Sequence, residues 1–236
     1  MITVEALLQL VRSDSAVAAL AEASAEELEA LFGKEFAAMQ GYDQNNPHHC
    51  YDLLRHTIHT VLGIDQSLPQ TEFELLRIAA LFHDIGKPSV SFKKEGRTVY
   101  YNHAQRSVLI AEKRLLEIGF DKDRVEKICF FIENHDMFIS FKSSEEVLDH
   151  AKAYEHPINL QTVRKALEKV IGEAKAQHKY VPQVADFFTL LFLCFADAGA
   201  QSEEVYMKGK LVATKAQKLQ RLREIQALIE QAFPTE

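Results

Sequence analysis

The chain has 236 residues, of which 47% are hydrophobic and 26% are charged, a mixture that is typical of an ordinary globular protein. With 9 glycines and 6 prolines it has little material for the many tight turns of an all-β fold, so the composition favours helices. The net charge of −7 disfavours the binding of long nucleic acid by bulk attraction, although a metal ion could supply positive charge for a small phosphorylated ligand.

Helical periodicity dominates the first part of the chain. Ser24 followed by Glu27 predicts a capping box. The helix behind it carries its apolar residues on one stripe: Leu28, Leu31, Phe32 and Phe36. After a polar break, residues 50–64 predict a helix with apolar side chains at helical spacing. The segment 71–86 is mostly apolar and predicts a helix that ends at Gly86, with a proline two residues beyond.

The rest of the chain is also mainly helical in pattern. Residues 89–102 surround a central glycine with β-branched and aromatic residues, which predicts an ordered loop or a small hairpin. Helices are predicted over residues 103–117, 121–134 and 143–153, from a cap at Asn159, over 181–200 and over 207–232. The segment 181–200 is apolar on nearly every side and predicts a buried central helix.

The cysteines and the apolar segments predict a cytoplasmic protein. Cys50, Cys129 and Cys194 are far apart and form no CxxC pair, which indicates free, partly buried thiols in a reducing compartment. The N-terminus lacks the basic start and the long apolar run of a signal peptide. The longest apolar run, residues 187–196, is too short to span a bilayer, so we expect no membrane segment.

The adjacent pair His83-Asp84 lies at the end of an apolar predicted helix. An ionised carboxylate is costly there unless it is paired, and a metal ion is the strongest partner. Successive helical residues point about 100° apart, so both side chains can converge on one ion. Taken alone, such a dipeptide is more often structural or incidental than functional.

Two further residues strengthen the case for a metal site. His56 lies on the preceding predicted helix. Asp197 lies inside an otherwise apolar helix, where it must be neutral, hydrogen-bonded or a ligand unless it reaches solvent near Gly199. Imidazole and carboxylate ligands together suit divalent transition metals or magnesium rather than a thiolate zinc site.

The order of these residues, together with three short motifs, resembles the signature of the HD-domain metal-dependent phosphohydrolases. The motifs are HDIGKP at 83–88, NHAQRS at 102–107 and ENHD at 133–136. With GYDQNNPHHCYDLLRHT before them, they are most similar to the HD domain of bacterial tRNA nucleotidyltransferases. We find no Gly-rich nucleotidyltransferase head with paired acidic residues, so polymerase activity is not expected.

The resemblance implies an all-α, HD-domain-like helical bundle in a single domain, with the loop or hairpin near 89–102. Residues 1–40 would form an N-terminal helical extension and residues 41–200 the HD phosphohydrolase domain. Residues 201–236 would form a C-terminal helix that packs on the same domain.

The resemblance also implies a set of metal ligands. The first ion would be bound by four residues: His56, His83, Asp84 and Asp197. His103 and His135 would complete a second site, with Asp84 bridging the two ions, although both histidines also suit ordinary helix ends. We therefore expect one or two divalent ions per chain, and Mn, Mg, Fe, Co, Ni and Zn are all compatible with these ligands.

The expected catalytic residues are Asp84, His83 and Lys87. Lys87 follows Asp84 by three residues and is placed either to reach a phosphate oxygen or to lie in solvent at a helix end. Other candidates for contact with the substrate share a basic or imidazole side chain near the motifs: Arg106, His49, Arg55 and, more weakly, Arg97.

These residues support two functions. The first is a phosphomonoesterase or phosphodiesterase that uses metal-activated water on a nucleotide or another small phosphorylated compound. The alternative is a non-catalytic, metal-containing module that binds tRNA-related RNA or a protein partner. The acidic net charge weighs against RNA, while a basic stretch over 208–223 keeps it open. The complete ligand set favours the enzyme, and the oligomeric state does not follow from the sequence.

Overall fold

The computed structural model describes residues 2–94, 97–138, 141–142, 156–207 and 209–233. Its helices, in chain order, are α1 (Val4–Arg12), α2 (Asp14–Ala19), α3 (Ala25–Phe32), α4 (Lys34–Ala37), α5 (Leu53–Leu62), α6 (Gln70–Phe82), α7 (Lys87–Val90), α8 (His103–Ile118), α9 (Lys122–Asn134), α10 (Leu160–Ala176), α11 (Val184–Gly199) and α12 (Thr214–Ala232). Its strands are β1 (Phe92–Lys94), β2 (Arg97–Val99), β3 (Phe141–Lys142), β4 (His156–Pro157), β5 (Val205–Met207) and β6 (Lys210–Val212).

The described strands form three isolated pairs, so the sheets add little to a helical architecture. β1–β2 and β5–β6 are antiparallel hairpins, and β3–β4 is a short parallel pair. The predicted all-α fold is therefore confirmed, and the hairpin expected within 89–102 is β1–β2. The helix predicted over 143–153 lies outside the described residues.

One buried hydrophobic cluster joins both ends of the chain to its middle. Leu7 of α1, Phe32 of α3 and Ile229 of α12 lie in the same cluster as the central helices. Inside it, α5 packs against α6 and α11, while α9 packs against α6 and α8. Among the described residues, every helix falls short of the length and apolar content that crossing a bilayer requires.

The N-terminal region confirms one local prediction and corrects another. Ser24 and Glu27 form the expected capping box at the start of α3. The predicted stripe does not lie on one helix, because α3 ends at Phe32 and Phe36 belongs to α4. Gly33 between them has φ +95°, a backbone conformation that favours glycine and interrupts the helix. The rings of Phe32 and Phe36 pack on Phe82, the last residue of α6.

The end of α6 differs from the prediction, and the difference shapes the site. The helix stops at Phe82 rather than at Gly86, and Pro88 lies in the first turn of α7, where its missing N–H is tolerated. The turn between them packs tightly on the start of α8. A Cβ at Gly86 would lie 2.7 Å from the carbonyl oxygen of His103 and from the backbone nitrogen of Ser107.

The C-terminal region likewise confirms one local prediction and corrects another. Asn159 caps α10 as predicted, with Thr162 completing the capping box. The helix predicted over 207–232 begins only at Thr214, because the residues before it form the β5–β6 hairpin. Gly209, with φ +80°, supplies the turn of that hairpin.

Candidate metal centre

The packing of the helices brings the six predicted ligands to one place. They come from the middle of α5, the end of α6, the start of α8, the end of α9 and the last turns of α11: His56, His83, Asp84, His103, His135 and Asp197. All except His103 are buried, and its side chain is 15% exposed. Because each helix contributes only one or two of these residues, the site is formed by tertiary packing.

The first set of these atoms, which we call the inner group, consists of His56, His83, Asp197 and one oxygen of Asp84. Nε2 of His56 lies 2.9 Å from Oδ1 of Asp197 and 3.6 Å from Oδ2 of Asp84. Nε2 of His83 lies 3.2 Å from Oδ2 of Asp84 and 3.9 Å from Oδ1 of Asp197. Two ligands about 2.1 Å from one ion lie about 3.0 Å apart when they are adjacent at 90° and about 4.2 Å apart when they are opposite, so these four distances suit ligands of one divalent ion.

The second oxygen of Asp84 faces the other predicted ligands. Its Oδ1 lies 3.3 Å from Nε2 of His103 and 3.7 Å from Nε2 of His135. The carboxylate therefore presents Oδ2 to the inner group and Oδ1 to these two histidines, which is the geometry that a bridging ligand requires.

Backbone carbonyls fix the orientation of all four imidazoles. Each Nδ1 donates to a carbonyl oxygen: that of Ala200 for His56, Ala80 for His83, Tyr100 for His103 and Ile132 for His135. A carbonyl can only accept, so the proton of each neutral ring is on Nδ1, and Nε2 is free to bind a metal. Nε2 of His56, Nε2 of His83 and Oδ1 of Asp84 are buried without a hydrogen bond. A divalent ion at the inner group would satisfy the two histidine nitrogens, and a cation beside His103 and His135 would satisfy Oδ1 of Asp84, so the residues fit the metal that the pattern predicts.

The charges of the site also favour a cation. Burial raises the pKa of Asp84, but Lys87 and His83 outweigh burial and hold that pKa well below its usual range. Burial likewise raises the pKa of Asp197, but the adjacent His56 outweighs burial and lowers that pKa. Burial lowers the pKa of His83, but Asp84 raises it to about 9. The carboxylate that raises the pKa of His83 would also attract a bound cation.

Lys87 contacts Asp84 rather than solvent. Its Nζ lies 2.6 Å from Oδ2 of Asp84 and donates to Oε1 of Gln44 at 2.9 Å. The alternative of a solvated lysine is wrong, because the residue is 7% exposed. Its expected contact with a phosphate remains a prediction, and in this structure its charge compensates that of Asp84.

The other predicted substrate contacts divide into one near the ligands and two at the surface. The ring of His49 lies 4.8 Å from that of His56, and burial followed by the charge of Lys87 lowers its pKa to about 3, so it is neutral. Arg106 is exposed and its Nε donates to Oγ of Ser89 at 3.2 Å. Arg55 is also exposed, and the side chain of Arg97 lies outside the described part of the chain.

Two residues at the site were not predicted from the sequence. Oδ2 of Asp136 lies 3.1 Å from Nε2 of His103 and 3.5 Å from Nε2 of His135. The motif ENHD contained the signal, because it repeats the His-Asp dipeptide of residues 83–84. Gln44 is 1% exposed and contacts Lys87, but a glutamine within a polar break carries no such signal.

Comparisons with known proteins agree with the motifs. A family model described as the HD domain matches residues 16–163, a range that includes every predicted ligand except Asp197. A CC-adding tRNA nucleotidyltransferase from Thermus thermophilus is 34% identical over 103 residues. That alignment covers 43% of this chain and 23% of the relative, so the similarity spans less than a quarter of the relative's length.

Proposed function

The chain belongs to the HD-domain family, and on that premise we propose that it is a metal-dependent phosphohydrolase. HD domains bind divalent metals and are typically hydrolases. The proposed substrate is a nucleotide or another small phosphorylated compound, cleaved as a monoester or a diester. The observation that carries the proposal is the buried inner group, whose unpaired ligand atoms need a cation.

The residues of the site have different roles in the proposed hydrolysis. When bound, a divalent ion lowers the pKa of a coordinated water and polarises a phosphoryl oxygen. The ring orientations set by Ala80 and Ala200 aim two Nε2 atoms at the same point, so the ligands need little reorganisation. Lys87 keeps the carboxylate of Asp84 ionised, as a ligand must be.

The surface charge favours a small substrate over long RNA. The net charge of −7 gives little bulk attraction for a polyanion, so binding of phosphate relies on local charges. Those charges are the bound metal and Lys87, whose Nζ lies beside Asp84. Neutral His49 beside His56 can donate or accept a hydrogen bond to an uncharged part of the substrate.

The similarity to a tRNA nucleotidyltransferase supports a second candidate function. In this alternative the chain is a non-catalytic metal-containing module that binds tRNA-related RNA or a protein partner. The 34% identity to the Thermus thermophilus enzyme favours it, but this similarity covers 23% of that enzyme. A module that only binds would have no need for an ion with open coordination positions.

A hydrolysis panel with a matched pair of variants tests the proposal. Protein purified without chelator is assayed with an aryl phosphate, nucleotides, cyclic nucleotides and sugar phosphates, each with Mn²⁺ or Co²⁺. We expect metal-dependent hydrolysis, which Asp84→Ala lowers by more than about 100-fold because it removes a ligand. Asp123→Ala, an exposed aspartate on α9, is the control and should retain activity.

Two results would contradict the proposal. Full activity in the Asp84→Ala protein would show that hydrolysis does not depend on this site. A wild-type protein that hydrolyses nothing in the panel but binds a tRNA transcript would favour the module.

A further inference from the structure

The metal centre contains two His-Asp pairs with the same local geometry. His83 is the residue that follows α6 and His135 the residue that follows α9, and in each case Nδ1 donates to the carbonyl oxygen three residues earlier at 2.7 Å. An aspartate follows each histidine, and the two imidazole rings meet with centroids 5.1 Å apart. The second pair therefore presents its groups to the site as the first pair does.

The groups around the second pair have the spacing of ligands on one ion. Nε2 of His103 lies 3.2 Å from Nε2 of His135 and 3.1 Å from Oδ2 of Asp136, and the remaining distance, from His135 to Asp136, is 3.5 Å. Atoms that bind one ion at about 2.1 Å lie about 3.0–3.4 Å apart. A hydrogen bond would explain the contact between His103 and Asp136, but it would not require all three atoms to converge.

We propose that Asp136 is a further ligand of the second ion, which the resemblance to the HD-domain family already implies at His103 and His135, and that this outer ion binds more weakly than the inner one. This inference rests on the metal-dependent function proposed above. We call these three residues the outer group. Oδ1 of Asp84 faces its two histidines and can complete the ligand set.

Exposure explains why the outer ion should be held less tightly. The side chain of Asp136 is 35% exposed and that of His103 is 15% exposed, whereas the most exposed inner ligand, Asp197, is at 12%. Water screens the attraction between an ion and an exposed carboxylate more strongly. The inner ion also repels a second cation that shares Asp84. Two imidazoles with carboxylate oxygens suit a transition ion such as Mn²⁺ or Co²⁺ better than Ca²⁺.

Calorimetric titration of the full chain with Mn²⁺ tests the proposal without relying on activity. The wild-type protein should bind two ions with different affinities. Asp136→Asn should lower the affinity for the weaker ion about 10–100-fold and leave the tighter one unchanged. The control is Asp123→Asn, an exposed substitution on α9 that should bind like wild type. A second outer variant, His103→Gln, should reproduce the effect of Asp136→Asn and guards against a defect peculiar to one substitution.

The outcomes separate this inference from the proposed function. If the wild-type protein binds one ion, or if both outer variants bind two ions with wild-type affinity, Asp136 is only a hydrogen-bond partner of His103 and the inference is wrong. If the wild-type protein binds no ion, the metal-dependent function itself fails. Electron paramagnetic resonance of the Mn²⁺-loaded protein adds a check, because neighbouring ions couple and the outer variants should lose that coupling.

Discussion

The two His-Asp pairs share a backbone geometry but lie in different surroundings. His83-Asp84 follows α6, in which every residue from Phe73 to Phe82 is buried, and the side chain of Asp84 is 2% exposed beside Lys87. His135-Asp136 follows α9, whose exposed residues are the charged ones of its first turn, and the side chain of Asp136 is 35% exposed. The same dipeptide can thus form the buried centre of a site or its solvent-facing edge, depending on the helices that surround it.

The largest expected effect on stability comes from removing the ammonium group of Lys87, which contacts the His83-Asp84 pair. Lys87→Met leaves the buried Asp84 carboxylate without its 2.6 Å partner, and breaking a buried ion pair costs about 3–5 kcal/mol. We expect this loss in the free energy of unfolding in the presence of chelator. Mn²⁺ should restore most of it, because a bound cation compensates the same carboxylate. Urea unfolding with and without Mn²⁺ measures both quantities.

An exposed lysine provides the control for this experiment. The side chain of Lys122 on α9 is 80% exposed, so Lys122→Met should change stability by less than about 0.5 kcal/mol under either condition. If Lys87→Met lost the same stability with and without Mn²⁺, Lys87 would be a packing residue rather than a substitute for missing metal charge.

The stability of the metal-free protein should depend on pH in opposite directions through His83 and His135. Burial lowers the pKa of His83, but Asp84 raises it to about 9. The contribution of protonated His83 to the free energy of unfolding is therefore fully present below about pH 6.5 and is lost as the pH rises to about 9. Burial lowers the pKa of His135, so its neutral form loses stability as the pH falls below about 6.5. We expect the loss on the alkaline side to be on the order of 3–4 kcal/mol.

Two substitutions test which residue causes each pH-dependent loss of stability. In chelator, His83→Gln should remove the alkaline loss of stability, and His135→Gln should weaken the acidic loss while leaving the alkaline one. Urea unfolding from pH 5.5 to 9 (roughly the range where imidazole titrates) measures both. An alkaline slope that persists in His83→Gln would mean that another group holds the proton.

The smallest expected effect concerns the turn that joins the two parts of the site. Gly86→Ala would place a Cβ 2.7 Å from backbone atoms of α8, so the start of that helix must shift. Because His103 is the first residue of α8, the outer ion should weaken more than the inner one. We expect a loss of stability of roughly 1–3 kcal/mol from this overpacking. Calorimetry with Mn²⁺ and urea unfolding give the two readouts.

Gly172 on α10 is the matched control for Gly86. A Cβ there would meet nothing within 4 Å, and alanine in a helix interior is favoured over glycine by about 0.5–1 kcal/mol. Gly172→Ala should therefore stabilise the protein slightly and leave both ions unaffected. Equal weakening of both ions by Gly86→Ala would indicate a general defect rather than a shift of His103.

Much of the site could be predicted because its signals are local or belong to a family pattern. The capping box at Ser24 and the helix cap at Asn159 depend on residues three positions apart, and both were predicted correctly. The six predicted ligands follow the motif order, and the structure brings them together. The contacts of Lys87 and Asp136 were harder to predict from the sequence. Lys87 contacts Gln44, which is 43 residues away in the chain, and Asp136 contacts His103 at the start of another helix.

The sequence by itself determined the helical class, most helix starts and the order of the ligand residues, because caps, periodicity and motifs act over a few residues. Only the tertiary structure decided where α6 ends, because the turn that follows Phe82 packs Gly86 against the start of α8, a contact between residues about 20 positions apart that no local pattern reports. It also decided how the His83-Asp84 and His135-Asp136 pairs differ. The dipeptides are identical, so only burial, Lys87 and the surrounding helices distinguish them, and these depend on residues that are distant in the chain.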